Sequence, residues 1–291
     1  MNQIIYLIVY PFLWILSKLP WRLFYIFSDV VCFVVYKLIG YRKKVVSSNL
    51  KAAFSDKSTQ ELLAIEKKHY QHLCDLFLEM IRSMGISKQE LQQRFHIKNP
   101  EILQELENDS KSLLLLTAHY GNYEWSNSLE LQTSMRCVGV YKKIKNPFFD
   151  RMVRKVRQRF GSDIIENVHI TKYALTCEKQ VPKIQRLYGL IIDQSPKLNK
   201  RNHYEYFLGR EVPVFVGAEA LARKLDLNVA YLKTTKVKRG FYESEIKIIT
   251  KDAPNEQMYA ITKKYFKMVE QQIHKAPEYY LWTHKRWKHA K

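Results

Sequence analysis

Apolar and polar positions along the chain follow two alternating patterns, one typical of buried strands and one of amphipathic helices. Four leucines at 113–116 are followed by small residues and by Gly121, and a short apolar run bounded by a turn former fits a core strand better than a helix. Residues 187–193 form a similar run that ends in a polar residue. Apolar residues recur at helical spacing after a capping box at 58–61 and again over residues 256–274. The alternation predicts an α/β fold with a mixed, mainly parallel central sheet flanked by helices.

The N-terminal segment is more apolar than the rest of the chain. Residues 4–16 and 23–39 are two apolar runs, and each is shorter than the roughly 20 residues that span a bilayer. Both runs contain aromatic residues that favour membrane interfaces, and a basic cluster at 42–44 follows, so the positive-inside rule places the remainder in the cytoplasm. We therefore expect residues 1–45 to be a membrane anchor, either spanning or deeply embedded, and residues 46–291 to form the main domain. The alternative is a pair of buried core helices.

The charge balance indicates an anionic partner. The 48 lysines and arginines outnumber the 28 acidic residues, which gives a net charge of +20. This charge favours a nucleic acid, a phospholipid surface, or an acidic or phosphorylated substrate. Basic residues at 142–145 and 197–201 are candidates to face lipid phosphates. The four cysteines are scattered and lack metal-ligand spacing, so we interpret them as reduced packing residues in a reducing compartment.

His119 is the first candidate for chemistry. It follows the predicted leucine strand, and ligands of open α/β sheets bind beyond the carboxyl ends of the strands. A helix predicted to begin with Asn122 near its N-cap places Glu124 in the first turn, so that a histidine and a carboxylate share one edge of the sheet. About one histidine with an acid five residues later is expected by chance in this composition, and His96 with Glu101 is such a pair without a preceding apolar strand. We therefore predict a catalytic His119, with a hydrogen-bonded structural histidine as the alternative.

Four blocks of the sequence carry a resemblance to a known family. The segment His119-Tyr120-Gly121-Asn122-Tyr123-Glu124 resembles the His-x4-Glu signature of the bacterial lipid A biosynthesis acyltransferases, also called late or secondary acyltransferases. Three further blocks are similar to that family: residues 146–150 with Arg157-Gln158-Arg159, residues 193–196 with 207–209, and residues 276–288. The resemblance covers nearly the whole chain. It implies a glycerolipid-acyltransferase-like fold in which residues 46–291 are the acyltransferase domain.

The resemblance also implies a reaction. The donor is then acyl-acyl carrier protein, and the acceptor is a hydroxyl of a lipid A precursor, which is an anionic glycolipid. The enzyme is expected at the inner membrane with its active site facing the cytoplasm. His119 is expected to be the general base, because neutral imidazole has a pKa suited to taking a hydroxyl proton near pH 7. Glu124 is expected to orient the imidazole and to stabilise the imidazolium.

Six residues besides this pair are expected to bind substrate: Gly121, Asn122, Arg157, Arg159, Asp193 and Gln194. The first two offer backbone amides to the thioester oxyanion. The two arginines offer guanidinium groups that bind a carboxylate or a phosphate through two parallel hydrogen bonds, and either can brace Glu124 or hold a headgroup. A solvated basic face is the alternative for the arginines. The last two would line the cleft, and the alternative for the aspartate is a loop cap.

Other functions stay open at this point. One is an acyltransferase for a different membrane lipid, a lysophospholipid or an aminolipid. Another is a basic, non-catalytic membrane protein or nucleic-acid-binding protein, although the apolar N-terminus and the lack of a recognised nucleic-acid module argue against a nucleic acid. No Walker, dinucleotide or zinc pattern occurs, and His69 and His72 have no third ligand in view, so we expect neither a cofactor nor a metal.

Overall fold

The computed structural model describes residues 2–198 and 202–290, so residues 199–201 of the basic loop expected at 197–201 lie outside the described residues. The α-helices are α1 (Asn2–Leu16), α2 (Trp21–Phe33), α3 (Lys43–Ala53), α4 (Thr59–Arg82), α5 (Lys88–Arg94), α6 (Pro100–Asn108), α7 (Pro147–Arg157), α8 (Ile170–Cys177), α9 (Gly217–Leu225) and α10 (Ala260–Lys275). The strands are β1 (Phe95–Ile97), β2 (Leu113–Thr117), β3 (Arg136–Tyr141), β4 (Asp163–Glu166), β5 (Arg186–Ile191), β6 (His203–Phe207), β7 (Arg210–Val214), β8 (Asn228–Lys238) and β9 (Phe241–Thr250).

Seven of these strands form one sheet in the order β1-β9-β8-β2-β5-β3-β4. The β8–β9 pair is antiparallel and the other pairs are parallel. The predicted α/β fold with a mainly parallel sheet is therefore confirmed. Strands β6 and β7 form a separate antiparallel hairpin.

The leucine strand β2 lies at the centre of the sheet, between β5 and β8. All five of its residues are buried. Leu114 and Leu116 belong to one core cluster, and Leu113 and Leu115 belong to a second. Successive side chains of a strand point to opposite faces, so a strand that is covered on both faces must be apolar at every position. The run of leucines in the sequence is the direct consequence.

Helix α4 begins with the predicted capping box, in which Ser58 and Glu61 each accept from the other's backbone N–H. The apolar residues that recur at helical spacing along α4 pack in the core, and they include Leu62, Leu73 and Leu76. The structure also buries a polar row along the same helix: Glu66, His69, His72, Asp75, Glu79 and Arg82. This row faces α2, the sheet and the C-terminal segment.

The N-terminal helices expose an apolar surface. This apolar N-terminal surface consists of Leu7, Ile8, Phe12, Trp14 and Ile15 of α1 and Leu23, Ile26, Val30 and Phe33 of α2. Among the described residues, no single helix has the length and hydropathy to cross a bilayer. One pair of helices, Trp21–Ile39 and Lys43–Ala53, meets both requirements together and is bent by 92°. The segment that was expected to be an anchor is therefore folded as short apolar helices rather than as one long helix.

Candidate active site

His119 and Asp193 meet because they follow neighbouring parallel strands. In the register of β2 and β5, Thr117 lies beside Ile191, so residues two positions further along each chain emerge at the same edge of the sheet. The backbone N–H of His119 donates to Oδ2 of Asp193 at 3.1 Å, and Nδ1 of the imidazole lies 2.6 Å from Oδ1. Asp193 therefore holds both the main chain and the ring of His119.

The hydrogen bonds assign the tautomer of this imidazole. A buried carboxylate beside Nδ1 accepts its proton, and Nε2 then carries the lone pair. The side-chain amide nitrogen of Gln194 lies 3.2 Å from Nε2 and can donate to it. The ring of Tyr123 packs edge-on against the imidazole with 4.9 Å between the ring centres. In this arrangement the lone pair of His119 lies on Nε2, and the ring contacts Asp193, Gln194 and Tyr123.

The carboxylate of Asp193 is kept ionised. Burial raises its pKa, but the electrostatic interaction and hydrogen bonds with His119, together with the nearby Arg286, outweigh burial and leave the pKa of Asp193 below its ordinary value. Only 1% of the Asp193 side chain is exposed, whereas 17% of the His119 side chain is. The charged partner is therefore sealed inside while the base reaches the surface.

Glu124 does not make the expected contact with the imidazole. Its two oxygens bind Arg157 in a fork, with Nε at 3.0 Å from Oε2 and Nη2 at 2.6 Å from Oε1. Burial lowers the pKa of Arg157, but the charge of Glu124 outweighs burial and the pKa of Arg157 is raised. The physical reason is geometric. Gly121 turns the chain with a φ of +58°, after which the carboxylate faces α7 and the imidazole faces β5.

Gly121 and Asn122 shape this turn rather than facing outward. The N–H of Gly121 donates to the carbonyl of Tyr279 at 3.0 Å, so it is not free to bind an oxyanion. The side-chain oxygen of Asn122 accepts from the N–H of Trp125 at 3.1 Å, which confirms its predicted N-cap role. The helix that follows is a 3-10 helix over Tyr123–Leu131 rather than the expected α-helix.

Arg159 lies away from this group. Its guanidinium donates to the backbone carbonyls of Ser83 and Ile86, with the Ser83 contact at 2.8 Å. These bonds hold the chain just after α4 and leave Arg159 in a structural position. Of the two arginines singled out in the sequence, the structure brings only Arg157 to the Glu124 side of the site.

The C-terminal segment completes the site, a role that sequence reasoning missed. The N–H of Leu281 donates to the carbonyl of His119 at 3.0 Å, so the segment binds the chain on both sides of Tyr120. Arg286 is 1% exposed, and its Nη1 donates to Oγ of Ser195 at 3.0 Å. The mixture of tryptophan and basic residues in this segment was the available signal. The burial of Arg286 shows that this residue packs inside the protein.

Two recesses adjoin these residues. One encloses about 240 Å³, partly open to solvent, beside the Glu124–Arg157 pair, with Met80, Val156 and Phe160 in its wall. The other encloses about 170 Å³ between His119, α4 and residues 279–281. Both volumes include space that is open to solvent, so neither recess is an enclosed cavity of ligand size. Within residues 2–198 and 202–290, no group of three His, Cys, Asp or Glu residues is arranged to hold a metal ion.

Comparison with known proteins agrees with the resemblance seen in the sequence. A family model described as "Bacterial lipid A biosynthesis acyltransferase" matches residues 1–289, which is nearly the whole chain. No curated protein matches. The match confirms the predicted family, and the geometry above places the His119–Asp193 pair and the Glu124–Arg157 ion pair near one edge of the sheet.

Proposed function

Because the chain belongs to the bacterial lipid A biosynthesis acyltransferase family and is therefore an acyltransferase, we propose that it moves a fatty acyl chain from acyl-acyl carrier protein to a hydroxyl of a lipid A precursor. The observation that carries the proposal is the 2.6 Å contact of His119 with Asp193 at the carboxyl edge of a parallel sheet. A histidine oriented in this way is suited to general-base catalysis.

In the proposed mechanism, Nε2 of His119 takes the proton of the acceptor hydroxyl while the oxygen of that hydroxyl attacks the thioester carbonyl. The C–S bond of the tetrahedral intermediate then breaks, and the carrier thiolate leaves and recovers the proton from the imidazolium. Asp193 keeps the reactive tautomer in place and stabilises the imidazolium without taking the proton itself. Base catalysis of this kind is typically worth about 10²–10⁴ in rate.

The oxyanion needs a separate donor, since the N–H of Gly121 is already bound. Among the residues proposed from the sequence, Arg157 is the best candidate for this donor. Its Nε and Nη2 are held by Glu124, which leaves Nη1 for a developing negative charge. Glu124 then acts by fixing this arginine rather than the imidazole. Positioned donors to an oxyanion are typically worth about 10²–10³ in kcat.

The site would work at a membrane surface. The apolar N-terminal surface supports insertion of α1 and α2 into the acyl region, because a soluble monomer rarely exposes so many large apolar side chains together. The basic residues 42–44 follow directly, as expected for a segment facing anionic lipid headgroups on the cytoplasmic side of the inner membrane. In this proposal residues 1–45 form the anchor and residues 46–291 form the acyltransferase domain.

Exposed cations near α7 support the two anionic substrates. Lys142, Lys145, Arg151, Arg154 and Lys155 are exposed, and α7 carries Arg157 at its end. Acyl carrier protein is acidic and a lipid A precursor is phosphorylated, so both would be attracted to this face at low ionic strength. We therefore expect transfer rates to fall as salt concentration rises.

The test is transfer in membranes that carry the protein, with labelled acyl-acyl carrier protein as donor. A lipid A precursor, a lysophospholipid and an aminolipid are supplied separately as acceptors. The proposal requires labelled product from the lipid A precursor and its loss in His119→Ala. Label appearing only on the lysophospholipid or the aminolipid would make this an acyltransferase for that lipid instead. Folded wild-type protein that labels none of the three would refute the proposed function.

A further inference from the structure

Glu79 lies in the polar row of α4 with no exposed surface. Its carboxylate accepts three hydrogen bonds from three different parts of the chain. The hydroxyl of Tyr25 in α2 donates to Oε1 at 2.9 Å, and Oε2 accepts from Nδ2 of Asn122 at 2.7 Å and from the hydroxyl of Tyr242 in β9 at 2.8 Å. No cation within the described ranges forms an ion pair with it at 4.0 Å or less. Burial raises the pKa of Glu79 to about 7.

A carboxylate at this buried position is thermodynamically unfavourable if it only fills space. Burying an ionisable group without a paired charge is unfavourable, and such groups are rare in protein cores. Its two oxygens have one property that an amide lacks, because they accept at every lone pair and donate at none. A glutamine here could keep the bond to Asn122 through its oxygen if its NH2 group turned to the hydroxyl of Tyr25, which can accept. An apolar side chain, in contrast, would leave all three donors without an acceptor.

The donor that matters for the site is Asn122. Its amide is fully used, with the nitrogen on Glu79 and the oxygen on the N–H of Trp125. The indole nitrogen of Trp125 returns to α4, where it lies 3.2 Å from the backbone carbonyl of Glu79. Residues 122 and 125 are thus both fastened to the same turn of α4. The residues between them are Tyr123, which packs on the imidazole, and Glu124, which binds Arg157.

We propose that Glu79 is a positioning residue for acyl transfer, which acts through Asn122 to set the turn that separates the imidazole from the Glu124–Arg157 pair. The inference rests on the proposed function, since it assigns a further residue to the same site. It differs from a packing role in one measurable respect. Loss of the Glu79–Asn122 bond displaces Tyr123 and Glu124 and leaves the substrate-binding surface of α7 in place, so the turnover number changes and the Michaelis constant does not.

The test compares four variants in the transfer assay, with kcat and KM measured for the acyl-carrier donor and thermal unfolding measured for each protein. Glu79→Leu removes both acceptor oxygens and keeps a side chain of similar size. Asn122→Ser keeps a capping oxygen for Trp125 but is too short to reach Glu79. The double variant carries both changes. Tyr242→Phe is the matched control, because it removes one donor from the same oxygen of Glu79 and leaves the Asn122 bond intact.

A misplacement of about 1 Å at a catalytic group costs roughly 10² in rate, so we expect Glu79→Leu and Asn122→Ser each to lower kcat by about 10-fold to 100-fold with KM within about twofold. The double variant should be no slower than the worse single variant, because both changes break the Glu79–Asn122 bond. Tyr242→Phe should keep kcat within about threefold of the wild type. If Glu79→Leu does not fold, the comparison of Asn122→Ser with Tyr242→Phe carries the test.

Three results would overturn the inference. Asn122→Ser that keeps the wild-type kcat would show that the bond is not needed. Single variants whose effects multiply in the double variant would show two independent roles. A kcat loss in Tyr242→Phe equal to that in Glu79→Leu would reduce Glu79 to a packing residue. Wild-type protein without transfer activity would instead refute the proposed function itself, so the two failures are distinguishable.

Discussion

Replacing Asp193 by asparagine tests which carboxylate orients the imidazole. The substitution keeps the size of the side chain and removes its charge. An asparagine can turn its NH2 group toward Nδ1, and the imidazole would then carry its proton on Nε2, the nitrogen that must be free to act as base. The substitution also removes the negative charge, 2.6 Å from Nδ1, that would stabilise the imidazolium. Glu124 cannot take over, because both of its oxygens are bound to Arg157.

The size of the effect follows from the burial of the pair. A charge-assisted hydrogen bond to a side chain that is 1% exposed is not screened by solvent. Its loss should therefore remove the whole rate enhancement that comes from an oriented base. General-base catalysis contributes about 10²–10⁴, and we expect Asp193→Asn to lower kcat by about that factor. At 1.36 kcal/mol for each tenfold change, the loss is about 3–5 kcal/mol of transition-state stabilisation.

The assay is initial-rate acyl transfer at saturating donor, with the folded fraction checked by circular dichroism. Asp163→Asn is the matched control, because Asp163 is also an aspartate held by a basic partner, Arg136, but lies on β4 at the far edge of the sheet. It should keep the wild-type kcat. A folded Asp193→Asn protein within about threefold of the wild-type kcat, together with an inactive Glu124→Gln protein, would refute the reasoning and return the orienting role to Glu124.

Three further predictions concern the ion pair, the buried histidines and the N-terminal helices. Glu124→Gln leaves the mostly buried Arg157 without a charged partner and should lower the free energy of unfolding, measured by urea titration, by about 3 kcal/mol. A second change, Arg157→Gln, should restore part of this free energy but none of the activity. Burial lowers the pKa of His69 from 6.5 to about 4, so its contribution to stability is complete above pH 6.5 and is lost as pH falls towards 4. The part of this loss between pH 7 and 5 is about 2 kcal/mol, so His69→Leu should be destabilised by about that much less over this interval in thermal unfolding. An equal pH dependence in both proteins would contradict this. Replacing exposed Ile8 and Phe12 by glutamine should weaken binding to anionic vesicles at least about tenfold in flotation assays, and undiminished binding would exclude α1 from the membrane contact.

Local patterns predicted the elements that frame the site. The leucine run became β2, Ser58 and Glu61 formed the capping box, and Asn122 capped the helix after Gly121, because each of these features depends on residues within a few positions of one another. The parallel arrangement also followed from local patterns, since apolar runs buried on both faces alternate with helices. The 3-10 form of residues 123–131 was missed, because the hydrogen bonds that hold Asn122 and Trp125 come from α4.

The sequence by itself determined that a histidine would stand at the carboxyl end of a buried strand, and that acidic and basic side chains would lie near it. Only the tertiary structure decided which of them it meets. Asp193 is 74 residues from His119 and reaches it because β5 became the neighbour of β2, whereas Glu124 is five residues away and is turned towards α7. Strand order and the direction of a turn depend on contacts between distant segments, and no spacing along the chain records them.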